Sequence, residues 1–343
     1  MDEMENFNSR LAGLLDLIVP GSKPNLNALA RKTRDLNNLA LTVKFFGYEL
    51  ARKLAEDLPV CQVKEPFHVG LQSKPSTQAD LESDWAGYWL AELKSPRMFH
   101  RKLWEFAYLL QGLWEQGMIQ AGRRGLGFGC GREPIASYLA SKGVVITATD
   151  LAPEQAQSSA WMGSNQHSTH LDSLFMPHLV DRSTFDRNVA LRYVDMNAIP
   201  ADLQDYDFCW SICALEHLGS IAKGLAFIRN SLNTLRPGGL AIHTTEFNFL
   251  DDEKTIDNWP TVLFQRRHLL ELAEKLTSDG HLVSPMEFGV GNKPLDKFID
   301  VPPFAHDFPA AVRDEWGPSA AHLKISIDGF ASTCFGLTIV KRA

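Results

Sequence analysis

One segment constrains the fold of this chain more than any other: GLGFGCGREPIASYLASKGVVITATDLAPEQ, residues 125–155. It places a glycine-rich turn between an apolar strand and a helix, and a second apolar strand then ends on Asp150. Because glycine lacks a Cβ, a turn built from Gly129 and Gly131 lets a ligand approach the backbone, and the start of the helix presents free N–H groups. An acid at the tip of the neighbouring strand accepts hydrogen bonds from ribose hydroxyls. The segment predicts a nucleoside site at the carboxyl ends of parallel strands; the alternative is a turn that binds nothing.

From about residue 120 onward, short apolar runs alternate with helical stretches, as in a parallel sheet covered on both faces. We predict strands at 125–128, 144–149, 189–194, 206–210 and 240–244, with two more near 281–288 and 331–340. The predicted helices are 134–142, 153–163, 220–235 and 265–278. Residues 119–343 are therefore expected to form one doubly wound α/β domain around a mostly parallel, seven-stranded sheet.

Residues 1–118 are predicted to form a separate helical region in front of that domain. Leu39, Val43, Leu50 and their apolar neighbours support a helix that ends before Pro59. A later helix has one apolar face and ends near Gly117. Residues 60–80 are polar, contain two prolines and show no period, which indicates a linker or surface loop. The helical faces fit either a homodimer interface or a lid over the site.

Composition argues against several classes of protein. A formal net charge of -7 gives no general attraction to nucleic acid or to anionic lipid. The first ten residues carry acids where a secretory signal needs basic residues, and no stretch approaches the roughly 20 apolar residues that cross a bilayer.

An odd number of cysteines, five, suits a reducing compartment, so we expect the cytoplasm. Cys209, Cys213 and His217 are spaced by four, but a strand running into a loop does not keep that spacing on one side. We expect buried thiols and no metal site.

The glycine spacing distinguishes between nucleoside cofactors. No register of the turn supplies the G-x-G-x-x-G of a dinucleotide fold, so a nicotinamide-dependent enzyme is not predicted. Residues 127–133, GFGCGRE, instead resemble motif I of class I S-adenosylmethionine-dependent methyltransferases, D/E-x-G-x-G-x-G. Gly127 stands where the family usually has an acid, and Glu133 stands where it has the last glycine.

Further segments resemble the same family in the expected order. The resemblance covers about 120–343 and implies S-adenosyl-L-methionine as the cofactor. Asp150, followed by Leu151, matches the ribose-binding acid. Asp195 and Met196 in VDMNAIP match the segment that holds adenine, and Ser211 lies at the end of the strand that resembles motif IV. Within motif I itself, the implied cofactor-binding residues are Gly127, Phe128, Gly129 and Gly131.

The glycine-rich turn also resembles a bacterial subgroup with a G-F-G-x-G-x-E-P variant of motif I. Members of that subgroup share segments similar to His100–Glu105, HRKLWE, and to His243–Asn248, HTTEFN. Within the first segment, Arg101 is a candidate partner for the carboxylate of the cofactor, and a solvated basic face is the alternative.

The resemblance implies methyl transfer, and we expect O-methylation of a small polar acceptor such as a sugar or a secondary-metabolite intermediate. A hydroxyl must lose its proton as it attacks, so a base is expected at the rim of the sheet. His217 and Glu246 are the candidate bases. The alternative for His217 is a helix cap or a surface histidine, and the alternative for Glu246 is a metal ligand or a helix cap. His243, inside a strand, fits a core histidine better than a catalytic one. N-methylation of a small amine and a non-catalytic cofactor-binding scaffold are the alternatives.

Overall fold

A computed structural model describes the backbone of residues 18–19, 23–24, 26–152, 170–316 and 320–342. Side chains are described from residue 34 onward in those ranges, except that of residue 316. The chain forms two compact units, Met1–Leu50 and Ala51–Ala343. The predicted helix 153–163 and the apolar residues Leu11, Leu14 and Leu15 lie outside the described residues.

The first unit contains most of one long helix, α1 (Leu26–Glu56), which continues into the second unit. Two short strands, Ile18–Val19 and Lys23–Pro24, pair antiparallel before it. The predicted helix ending before Pro59 is confirmed, and it begins at Leu26, earlier than the predicted apolar pattern. Among the described residues, no helix is long and apolar enough to cross a membrane.

The second unit is built around a ten-stranded sheet. Its strands are β1 (Lys74–Pro75), β2 (Arg124–Phe128), β3 (Val145–Asp150), β4 (Val189–Tyr193), β5 (Tyr206–Ile212), β6 (Leu235–Asn248), β7 (Leu282–Val283), β8 (Ile299–Asp300), β9 (Lys324–Ile327) and β10 (Phe330–Val340). Its helices are α2 (Gln78–Glu82), α3 (Asp84–Glu92), α4 (Arg101–Glu115), α5 (Ile135–Ser141), α6 (Arg182–Asn188), α7 (Ile221–Ser231), α8 (Arg266–Ser278) and α9 (Ala310–Trp316).

The order of the strands reverses in the middle of the sheet. The strands lie in the order β8-β9-β10-β6-β5-β2-β3-β4, and β1 and β7 also pair with β10. The strands from β6 to β4 are mutually parallel, whereas β10 runs antiparallel to β6. The chain passes from β2 to β3 on one side and later returns to β5 on the other. Such a switch point opens a crevice at the carboxyl ends of β2 and β5, where ligands of doubly wound folds bind.

The α/β class and the mostly parallel sheet are confirmed, but the strand number is ten rather than seven. The added strands β1, β8 and β9 have two to four residues each, too few to show an alternating pattern. β1 and β9 form because β10 is long and offers an edge for long-range pairing, and β8 in turn pairs with β9.

The predicted linker at 60–80 contributes to the sheet instead of leading away from it. Residues 74–75 form β1, the backbone N–H of Ser76 donates to the carbonyl of Cys334 (2.8 Å), and Ser73 and Ser76 are fully buried. Lys324, buried in β9, donates to the carbonyl of Ser76 (2.5 Å). Residues 51–118 therefore belong to the same compact unit as the sheet.

Helix α4 lies against the sheet and is buried on every side along residues 104–113. Two glycines allow this close approach. A Cβ on Gly336 of β10 would lie 2.4 Å from the ring of Tyr108, and one on Gly112 would lie 2.7 Å from Ile242. The sequence predicted one apolar face for this helix, but its polar residues are buried as well. Among these polar residues, Glu105 accepts a hydrogen bond from Thr244 of β6 (2.5 Å).

Candidate active site

The glycine-rich turn lies at the switch point, where the loops after β2 and β5 meet. Gly129 and Gly131 have φ angles of +60° and +52°, which glycine adopts without strain. A Cβ on Gly129 would lie 2.8 Å from Ala214 and 3.5 Å from the Sδ of Met196. The turn is therefore a narrow cradle between the segment after β4 and the loop after β5, and a side chain at Gly129 would close it.

Asp150, at the end of β3, is bound to this turn. Its Oδ2 accepts a hydrogen bond from the backbone N–H of Gly131 (3.3 Å), and its Oδ1 accepts one from the N–H of Leu151 (2.8 Å). The structure therefore brings together the two features that predicted a nucleoside site. Asp195 is exposed, and its carboxylate accepts from the N–H of Asn197 (2.8 Å).

Three residues named from the resemblance to motif I and motif IV face protein instead. A Cβ on Gly127 would lie 2.3 Å from the Sγ of Cys130 and 2.5 Å from Trp210, so this glycine makes room for packing. The buried ring of Phe128 packs edge-on against Phe227. Ser211 is almost fully buried, and its hydroxyl is 2.8 Å from Nδ1 of a histidine, His243.

His243 is a core histidine, as the sequence favoured. Its Nε2 lies 3.1 Å from the hydroxyl of Ser231, so both ring nitrogens are engaged. Burial lowers the pKa of His243 to about 3, and the ring is neutral. It is not placed to exchange protons with a ligand.

Arg101 and Glu246, predicted for the cofactor and for catalysis, form an ion pair with each other. The second carboxylate oxygen of Glu246 accepts from the hydroxyl of Ser332 (2.6 Å), and the side chain is buried. Thr244 of the same strand donates to Glu105 of α4 (2.5 Å). The two segments that suggested the subgroup, HRKLWE and HTTEFN, are thus hydrogen-bonded to each other across the edge of the sheet.

Lys102 and Glu133 form a second charged pair beside the turn. Lys102 Nζ lies 3.5 Å from Glu133 Oε1, and Glu133 Oε2 is buried without a hydrogen-bond partner among the described residues. Burial raises the pKa of Glu133 to about 8, although Lys102 opposes the shift. Burial would lower the pKa of Lys102, but Glu105 and Glu133 outweigh it, and the lysine is cationic.

His217 lies in a short 3₁₀ turn after β5 and is half-buried. Its Nδ1 is 3.0 Å from the carbonyl of Pro260, an atom that only accepts hydrogen bonds. Nδ1 therefore donates in this contact, and the hydroxyl of Thr261 lies 3.1 Å from the same nitrogen.

The sequence analysis considered Cys213 and Glu246 singly but missed that they belong to a buried set of acids and thiols. We call this set the thiol–carboxylate cluster: Glu105, Cys213, Glu216, Glu246 and Cys334. Ligand atoms of Glu105, Cys213 and Cys334 lie within 4.8 Å of one another, and so do those of Cys213, Glu216 and Glu246. The only sequence signal was that acids and cysteines occur on elements whose ends meet at one edge of a parallel sheet.

A family model described as a methyltransferase domain matches residues 99–276, just over half of the chain. The match begins before α4, which is therefore inside the family's domain. No curated protein matches the sequence.

Several solved structures are similar at low identity. The [4+2]-cyclase SpnF is 17% identical, covers 80% of this chain and 100% of its own, and has a TM-score of 0.46. A putative sarcosine dimethylglycine methyltransferase from Galdieria sulphuraria is 16% identical, covers 68% of this chain and 83% of its own, and has a TM-score of 0.42. Phosphoethanolamine N-methyltransferase 2 from Haemonchus contortus is 17% identical, covers 68% of this chain and 52% of its own, and has a TM-score of 0.39. These likenesses decide nothing about the acceptor.

The neutral, buried state of His243 predicts a loss of stability in mild acid. Its folded pKa of about 3 lies below the ~6.5 of an unfolded chain, so the unfolded chain binds an extra proton between these values. The unfolding free energy should fall as pH drops from ~6.5 towards 3, by up to about 1.4 kcal/mol per pH unit from this group. Urea denaturation of the natural chain and of His243→Asn, between about pH 7 and pH 5, measures the effect. The variant should lack this part of the slope; equal slopes would contradict the assignment.

Proposed function

We propose, from the premise that this chain belongs to the S-adenosylmethionine-dependent methyltransferase family, that it transfers a methyl group to a hydroxyl of a small polar acceptor. The observation that carries the proposal is the attachment of Asp150 to the N–H of Gly131 at the switch point of the sheet. An acid fixed beside a positive-φ glycine turn is an arrangement suited to a ribose. The cofactor, when bound, supplies a methyl group on a sulfonium, and the chain supplies alignment and proton transfer.

The residues present fit this cofactor, because the cradle at Gly129 would be filled by a single Cβ. Asp150 and the backbone around Leu151 would hold the ribose, and Asp195 and Met196 would flank the adenine. The methionine end carries one cationic and one anionic group. Arg101 is engaged by Glu246, so we assign the carboxylate to Lys102 and the ammonium to the unpartnered Oε2 of Glu133.

His217 is the base that we propose for the acceptor hydroxyl. Its position in the loop after β5, at the edge where that strand ends, supports this role, and its Nδ1 lies 3.0 Å from the Pro260 carbonyl oxygen. Glu246 is already bound by Arg101 and Ser332, so we assign it a positioning role at the rim and not proton transfer. We further propose that the reaction takes place in the cytoplasm, a compartment that the five free cysteines suit. We propose no nucleic acid as a partner.

We also propose that two copies of the chain associate through α1. Five exposed apolar residues follow a heptad spacing along this helix: Leu36, Leu39, Val43, Phe46 and Leu50. They are between 40% and 73% exposed. Alternate spacings of three and four residues form the seam of a coiled coil, and a second copy offers the same seam.

The cofactor assignment predicts that Asp150→Asn weakens binding of S-adenosylmethionine. Loss of a charged acceptor for the ribose hydroxyls should cost about 1.5–3 kcal/mol, at least a tenfold rise in Kd. Calorimetric titration measures this, with Asp202→Asn, at an exposed ion pair, as the matched control. If the natural chain does not bind S-adenosylmethionine at millimolar concentration, the result would instead favour a scaffold protein without methyltransferase activity.

The base assignment predicts that His217→Asn slows methyl transfer by about 10²-fold or more while cofactor affinity is unchanged. Fractions of a small-molecule extract are incubated with methyl-labelled cofactor, and labelled methyl ethers are identified by mass spectrometry. Glu246→Gln and His281→Asn, the latter remote from β5, are compared under the same conditions. Labelled amines formed equally by every variant would instead indicate N-methylation, in which the acceptor needs no base.

The dimer proposal predicts that Leu39→Lys/Phe46→Lys converts a dimer into a monomer. Four lysines buried in a two-helix seam would be desolvated without partners. Sedimentation equilibrium measures the mass, and Asn37→Lys/Asn38→Lys adds the same charge at exposed positions off the seam. A natural chain that is monomeric at all concentrations would overturn the proposal.

A further inference from the structure

The thiol–carboxylate cluster joins residues that are far apart in sequence, and Cys213 is its centre. The Sγ atoms of Cys213 and Cys334 are 3.4 Å apart, and Cys334 Sγ lies 3.0 Å from Glu105 Oε1. Cys213 belongs to both groups of three ligand atoms, so carboxylates from two directions approach the same thiol. The five residues come from α4, the loop after β5, β6 and β10, which are all parts of the rigid sheet or packed against it.

Neighbouring hydroxyls orient the carboxylates. Thr244 donates to Glu105 Oε2 (2.5 Å), which leaves Oε1 facing Cys334. Thr245 donates to Glu216 Oε2 (3.3 Å), which leaves Oε1 for the cluster. Carboxylates that are held by outer hydrogen bonds in this way are typical of ligands to a metal ion.

Glu216 Oε1 gives an independent indication of a ligand. The residue is fully buried, and this oxygen has no hydrogen-bond partner among the described residues. An unsatisfied buried acceptor costs about 1–3 kcal/mol. Glu246, by contrast, has both oxygens engaged by Arg101 and Ser332. The oxygen that remains to be satisfied is therefore that of Glu216.

The charge balance permits a divalent cation. Lys102 and Arg101 hold the pKa of Glu105 below its usual value despite burial, so this carboxylate is ionised. Burial raises the pKa of Cys213, so its thiol keeps its proton when no cation is present. Burial raises the pKa of Glu216 as well, so one divalent ion replaces the protons of the two thiols and of this carboxyl. The cluster then gains one negative charge beside the cationic Lys102, and Arg101 keeps Glu246 as its partner.

The ligand types and distances select the metal. Thiolate together with carboxylate in a four-ligand set is typical of Zn²⁺, whereas Mg²⁺ and Ca²⁺ prefer oxygen alone. Tetrahedral zinc, with bonds of ~2.3 Å to sulfur and ~2.0 Å to oxygen, implies edges of about 3.8 Å between sulfurs and about 3.5 Å between sulfur and oxygen. The observed 3.4 Å and 3.0 Å therefore need an expansion of only about 0.5 Å.

We propose that Cys213, Cys334 and Glu105 bind one zinc ion, and that Glu216, which is grouped with Cys213 but not with the other two, moves towards the ion as the fourth ligand. The site lies beside the predicted acceptor position, but metal binding needs neither cofactor nor acceptor, so this inference does not rest on the proposed function. The protons that the ligands lose on binding pass to solvent, the thiolates and carboxylates form bonds to the ion, and no oxidation is involved.

The test is titration of the reduced, metal-free protein with Co²⁺ in the absence of cofactor. A thiolate-to-cobalt charge-transfer band should grow to one equivalent and should disappear when Zn²⁺ is added. Cys213→Ser and Cys334→Ser should each abolish or strongly reduce the band. Cys61→Ser, which changes a thiol outside the cluster, should leave the band intact.

A second variant keeps the proposal falsifiable if the serine variants fold poorly. Glu216→Gln retains both thiols and should lower zinc affinity at least tenfold, whereas Glu253→Gln, on an exposed loop, should not. Absence of the band in the natural chain would overturn the proposal. So would unchanged zinc affinity in Glu216→Gln, or a Cys213–Cys334 disulfide that forms as readily with saturating zinc as without it. None of these results would affect cofactor binding measured by calorimetry.

Discussion

The near contact of Gly129 with Ala214 is the constraint on which the functional edge of this molecule depends. A side chain at Gly129 would collide with Ala214 at 2.8 Å, so the loops after β2 and β5 approach one another only because the residue is glycine. This approach occurs where the strand order reverses, and it fixes the turn against which Asp150 is hydrogen-bonded. A larger residue there would force the turn away from β5 and separate the acid from the backbone N–H that holds it.

The same edge of the sheet carries an unusual amount of buried charge, and helix α4 explains how it is tolerated. Arg101 pairs with Glu246, Lys102 approaches Glu105 and Glu133, and Thr244 donates to Glu105. Removal of one partner would leave a buried charge without compensation, which costs more than the pair itself contributes. Helix α4 belongs to the same compact unit as the sheet, and the family match, which begins at residue 99, includes it.

Local patterns in the sequence predicted the elements whose formation depends on residues that are close together in the chain. Strands β2 to β6 and β10, the helices around them, and the turn with Asp150 follow from apolar periodicity and from glycine, whose effects act within a few residues. The short strands β1, β8 and β9 could not be predicted in this way, because a strand of two to four residues is too short to show a periodic pattern. The pairing of Arg101 with Glu246 was equally hidden, since each residue alone is compatible with a solvated surface.

The contact between Cys213 and Cys334 joins residues that are far apart in the sequence, and no sequence motif indicated it. Cys213 has a φ of +43°, a conformation that costs a residue with a side chain about 1–3 kcal/mol. Its backbone N–H is held by Thr244, which also fixes Glu105, so the strained residue is determined by its surroundings. The strain directs a thiol into a cluster where Glu216 has an unsatisfied oxygen. The backbone strain at Cys213 and the unsatisfied oxygen of Glu216 each cost free energy. A ligand bound between the two residues would offset both costs at once, which explains why the two features occur together.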